Sequence, residues 1–144
     1  MTSYRMLDVH DCQGTLWAFF RRYAGSAFAS FEGDLSLLQL DEIPGATHEE
    51  TPMLKRQTSS PELDFIVVPI NERTVGMLKR QLSTRGVMGK DGVVIHTHIQ
   101  ASDEMIFSAC DNFHKDCTVA SKSVPEEFLA SLKSHGLLRS YGDV

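Results

Sequence analysis

Two runs, Gly92 to Gln100, rich in β-branched residues, and Met105 to Asn112, which carries Ile106 and Phe107, flank the dipeptide Ser102-Asp103. Strand-forming segments separated by a short polar break specify a β-hairpin, and a hairpin fixes antiparallel pairing. Neither central residue is Gly or Asn, so the turn type stays open. Side chains alternate between faces along a strand. With a two-residue turn, Gln100 faces Met105, His98 faces Phe107 and His96 faces Ala109. His96 and His98 then share a face with Phe107 and Asp111, while Cys110 points the other way with Ile95, Ile106 and Ser108.

The hairpin needs further elements to bury it, and the rest of the chain supplies them. Cys12, Leu16, Phe19, Phe20 and Tyr23 recur at helical spacing within His10 to Ala24. Ala27 to Glu32 reads as a strand ending at the Gly33-Asp34 turn. Leu35 to Leu40 fits a short helix or a strand. Asp64 to Ile70 (DFIVVPI) is the strongest strand signal in the first half, with Pro69 placed at its end or on a sheet edge. Asn71 is a natural cap for a helix that carries Val75, Leu78 and Leu82 on one face. Cys117 to Ser121 is a candidate third strand after the hairpin. Ser123-Val-Pro-Glu126 has the form of a capping box before Phe128, Leu129 and Leu132, and Gly136 is a helix stop.

The expected fold is α+β: a mainly antiparallel sheet with about three helices packed on one face, and a C-terminal β-hairpin followed by a helix. A chain of 144 residues fits one domain spanning 1–144. Its hydrophobic share of 42% is enough for a core. Residues 41–63 are polar and broken by Pro44, Gly45, Pro52 and Pro61, with a short stretch near Met53 to Gln57 that could turn helical. A connection that long is either functional or mobile. The pentapeptide Met-Leu-Lys-Arg-Gln occurs at Met53–Gln57 and again at Met77–Gln81, but a repeat array needs at least about three units.

A net charge of −5 argues against broad nucleic-acid binding, which requires a positive surface. No apolar run approaches the roughly 20 residues of a membrane span. Three cysteines, Cys12, Cys110 and Cys117, make no disulfide framework, so a reducing, cytoplasmic setting is expected. The open edge or face of the hairpin could pair two copies, making a homodimer.

The reactive side chains concentrate in and after the hairpin. His96, His98, His114 and Cys117, with Cys110 nearby, are candidate metal ligands, because zinc sites are built from Cys and His in close pairs. Their spacing matches no standard zinc pattern, and the face alternation separates Cys110 from the two histidines. His96, His98, Asp111 and His114 are candidate acid–base groups for a hydrolase or a metal-dependent enzyme, since a carboxylate can orient an imidazole base. No P-loop, dinucleotide-binding, nucleophile-elbow or H-E-x-x-H signature is present, and no cofactor is expected. Trp17, Phe19 and Phe20 could line a pocket in a small-ligand-binding module. The leading expectation is a small acidic non-enzymatic binding protein that neutralises a basic protein partner. Glu32, Asp34, Asp41, Glu42, Glu49 and Glu50 are its candidate docking residues, because charge steers such encounters.

Overall fold

A computed structural model describes residues 3–143. Among them, seven strands and three α-helices form an α+β fold in the order β1 (Tyr4–Val9), α1 (Cys12–Tyr23), β2 (Ala27–Gly33), β3 (Asp64–Ile70), α2 (Glu72–Leu82), β4 (Val94–Ala101), β5 (Glu104–Ala109), β6 (Thr118–Ser121), α3 (Glu126–Ser134) and β7 (Leu138–Asp143). One sheet holds all seven strands in the order β3-β2-β4-β5-β6-β1-β7, and each neighbouring pair runs antiparallel. No described helix is long and apolar enough to cross a membrane.

The helices pack on one face of the sheet because each carries one apolar stripe. Leu16, Phe19 and Phe20 of α1, Leu78 and Leu82 of α2, and Leu129 and Leu132 of α3 enter one core with Ala29, Phe31, Val68, Ile99 and Phe107 from the strands. The Phe19 ring lies 4.9 Å from that of Phe107 and meets Phe128 edge-on at 5.1 Å between centroids. Phe19 and Phe20 are therefore core, with Trp17 packed against Phe20, and not the lining of a pocket.

Asn71 caps α2 as its sequence predicts. Its side chain accepts the Arg73 and Thr74 amides, and its own amide donates to the Thr74 hydroxyl. The box expected before α3 does not form: Pro125 is the N-cap, and the Ser123 hydroxyl bonds the Glu104 carboxylate instead. Two strands, β1 and β7, were not expected from the sequence pattern; β7 follows α3, so the chain closes on a strand beyond the helix. Both are short, and only β6 and each other complete them. Leu35 to Leu40 forms turns that lead into a single 3-10 turn at Leu40–Glu42.

The hairpin β4–β5 lies inside the sheet, between β2 and β6. Its edges are paired, so it offers no open edge for a second copy; the outer strands are β3 and β7. The connection is a two-residue turn with both Ser102 and Asp103 in left-handed backbone, φ 51° and 61°, whose twist suits a hairpin. A bulge follows. Gln100 pairs with Met105, but Ile99 pairs with Phe107, and His98 with Ser108. One extra residue in β5 places both Ile106 and Phe107 in the helix-side core.

Candidate functional site

The bulge decides which side chains meet. Beyond Ile106, every residue of β5 falls on the face opposite to the one strict alternation assigns. Phe107 leaves the histidine face for the core, and Ser108 and Cys110 take its place. Cys110 Sγ stands 4.0 Å from His98 Nε2, which corrects the expected separation of Cys110 from the histidines.

On this face, away from the helices, β2 and β4 bring together Ser30, Glu32, His96 and His98, with Ser30 opposite His98 and Glu32 opposite His96. All four are buried, Glu32 at 2% exposure and each histidine at 6%. Their cover is the long connection 41–63. Thr47 and Val67 exchange backbone hydrogen bonds at the outer edge of β3. The chain then crosses the sheet, burying Leu54 against Phe65 and Val67. Met53 to Gln57 runs as bends and is not helical.

A buried carboxylate requires strong hydrogen bonds to offset lost hydration. Glu32 has them: the Gln57 amide donates to Oε1 at 2.7 Å and the Thr58 amide to Oε2 at 3.1 Å. Glu32 is therefore a latch for the covering segment and no part of an exposed docking surface. His96 extends the latch. Its Nδ1 accepts the Asp111 amide at 3.3 Å, so the ring proton sits on Nε2 and points to the Thr58 hydroxyl 3.0 Å away. Thr58 was not singled out by the sequence, because a threonine in a polar loop carries no signal of its own.

His98 is pushed down to about 4 by burial first and by the neighbouring His96 second. Burial raises the Cys110 thiol, with Cys117 adding to the effect. A neutral imidazole beside a neutral thiol is not the thiolate–imidazolium pair that activates a nucleophile.

The remaining sequence candidates lie apart. The Asp111 carboxylate is exposed, and only its backbone amide reaches His96. His114 is exposed and accepts the Asp116 amide, capping the 3-10 turn Lys115–Cys117. Among the described residues, no three His, Cys, Asp or Glu side chains converge on a metal position. His96, His98, His114 and Cys117 are thus not gathered as one ligand set.

The acids divide as well. Asp34, Asp41, Glu42, Glu49 and Glu50 are exposed. The Asp34 carboxyl is held low by the Ser36 hydroxyl. Asp41 meets His48 Nε2 at 2.5 Å, while His48 Nδ1 reaches the Phe65 carbonyl at 2.8 Å. Two acceptors on one ring favour imidazolium, and His48 is raised, mainly by that carbonyl. The Glu50 carboxylate accepts the Arg56 amide. Asp41 and His48 belong to the rim of a cavity of about 620 Å³ beside β3, whose other lining includes Leu35, Leu40, Arg56, Glu62 and Asp64.

The chain matches no family model, no curated protein and no solved structure.

Proposed function

We propose that the protein is a non-enzymatic binding protein for a basic protein partner. The supporting observation is the cavity beside β3, where Leu35, Leu40 and Leu63 lie below a rim of Asp41, Glu62 and Asp64, with His48 on Asp41 and Arg56 3.9 Å from Glu62 on the same rim. Glu42, Glu49 and Glu50 extend the negative surface on the same connection. An apolar floor with a charged rim suits a long cationic side chain, whose stem packs while its head meets carboxylate. The net charge of −5 steers such a partner toward it. With Glu32 withdrawn into the fold, the docking residues of this reading are Asp34, Asp41, Glu42, Glu49 and Glu50, joined by Glu62 and Asp64. The free state of Cys12, Cys110 and Cys117 suits a reducing, cytoplasmic setting.

Capture from native lysate at low and moderate salt tests this reading. A stoichiometric basic protein should be retained at low salt and weakened at moderate salt. It should be lost when Glu42, Glu49 and Glu62 are all changed to Lys. Failure to retain any stoichiometric partner at either salt, or retention unchanged by the charge reversal, overturns the proposal. The alternative of a hydrolase or metal-dependent enzyme has less support, because His96 is engaged by Thr58 and Asp111 while His114 caps its own turn.

A further inference from the structure

We infer that Cys110 and Cys117 form a dithiol site that closes reversibly into a cross-strand disulfide by exchange with a small-molecule disulfide of the glutathione class. Ala109 pairs with Thr118 in the β5–β6 ladder, so Cys110 and Cys117 are the next residues across from each other. The Cys110 amide donates to the Cys117 carbonyl at 3.4 Å. The Cys117 thiol in turn donates to the Cys110 carbonyl at 3.2 Å. Directly opposed residues in an antiparallel ladder have Cα atoms about 4.5–5.5 Å apart, and this pair keeps one of the two backbone bonds, the Cys117 amide going to the His114 carbonyl instead. A disulfide needs roughly 4.4–6.8 Å. Both side chains leave the sheet on the histidine face, since Thr118 and Ala109 fill the helix-side core, and both are half-exposed. Burial raises both thiols first, and the neighbouring Cys117 adds to the rise at Cys110.

The connection between them is unusual. Asp111, Asn112 and Phe113 all hold left-handed backbone, with φ of 49°, 57° and 64°. Such a run is costly for residues with a Cβ and persists only where the surroundings impose it. Here Asn112 is tied down by bonds from its side chain to the Gly92 and Val94 carbonyls and from its amide to Ile95. Phe113 is buried against Phe107. The reversal returns the chain so that Cys117 lies against Cys110. Cys12 offers a contrast: it sits on α1 away from both, and burial pushes it up to about 11.

The exchange proceeds in two displacements. The Cys117 thiolate attacks one sulfur of the small disulfide, whose S–S bond breaks. The first small thiolate leaves and takes up a proton. Cys110 then gives up its proton to water and attacks the Cys117 sulfur. The second small thiolate departs and is protonated. Two protein thiols and one small disulfide become one protein disulfide and two small thiols.

Peptide mapping of the folded full chain after incubation with oxidised glutathione at about pH 8 tests this, since exchange requires thiolate. The expected product is a Cys110–Cys117 link without bound glutathione, reversed by excess reduced glutathione. Its formation should quicken about tenfold per pH unit below the thiol pKa. Oxidation should also shift the His98 ring resonances. Cys110→Ser and Cys117→Ser should each retain one glutathione on the surviving partner. A wild-type chain that keeps glutathione on either cysteine overturns the inference. So does one that forms the link only in denaturant, or one that links Cys12 instead.

Discussion

Replacing His98 with glutamine should remove an acid sensitivity built into the middle of the sheet. His98 is 6% exposed, and its folded-state pKa is pushed down from 6.5 to about 4, by burial first and His96 second. The unfolded chain therefore binds a proton on this residue at higher pH than the folded chain does. For a depressed histidine, the stabilising contribution is present above the unfolded value and is lost as pH falls toward the folded one. The full difference amounts to about 3 kcal/mol. Between about pH 7 and about pH 5 the loss is about 2 kcal/mol, because most but not all of the window has been crossed. Urea unfolding at those two pH values is the assay, and the quantity is the difference in pH-dependent loss between wild type and His98→Gln. With an m-value of about 2 kcal/mol/M, the midpoint of the wild type should fall about 1 M further than that of the variant. Titrations remote from His98 cancel in this comparison. His48, whose pKa is raised, contributes in the opposite sense, with stability lost as pH rises, and it does so equally in both proteins. Equal losses in the two proteins, or a His98 ring that titrates near its free value by NMR, would refute the reasoning.

Thr97 carries the one buried side-chain oxygen or nitrogen without a hydrogen-bond partner among the described residues; Thr97→Val keeps the shape, removes the orphan hydroxyl, and should raise stability by about 1 kcal/mol or more in chemical denaturation. Glu32→Ala should cost about 3 kcal/mol and, by hydrogen exchange, expose the Gln57 and Thr58 amides ahead of the strands, because these two donors hold the covering segment. Asp111→Gly should stabilise the protein by about 1 kcal/mol or less, since the left-handed φ of 49° suits glycine and the Asp111 carboxylate carries no described bond; a destabilisation of similar size would show that the backbone there is not strained.

Much of the fold was legible in the sequence where one local pattern had one outcome. The α1 and α2 stripes, the Asn71 cap, DFIVVPI and the first hairpin arm formed elements where they were read, because periodicity fixes which face can be buried; the second arm, read to Asn112, ends at Ala109, where the chain turns into left-handed backbone. β1 and β7 were not legible: short strands take their stability from neighbours, and those neighbours are remote in sequence. The candidate site was legible only in part. The shared face of His96 and His98 follows from their spacing alone. The company they keep does not. An extra residue in β5 costs nothing that a local pattern records, yet it sends Phe107 to the core and Cys110 to His98.

The clearest division lies in the pentapeptide Met-Leu-Lys-Arg-Gln. At Met77–Gln81 it is helix, capped upstream by Asn71, with Leu78 in the main core. At Met53–Gln57 the same residues form bends across the sheet, with Leu54 in a separate cluster and the Arg56 guanidinium over the Phe65 ring. The sequence determined in both copies that the leucine would be buried, because its transfer from water is favourable wherever it goes. Only the tertiary structure decided the backbone: Glu32 and Glu50 take up amides at Gln57, Thr58 and Arg56 that a helix would have paired within itself. Intrinsic helix propensity is worth tenths of a kcal/mol per residue, and a buried carboxylate bonded to two amides outweighs it.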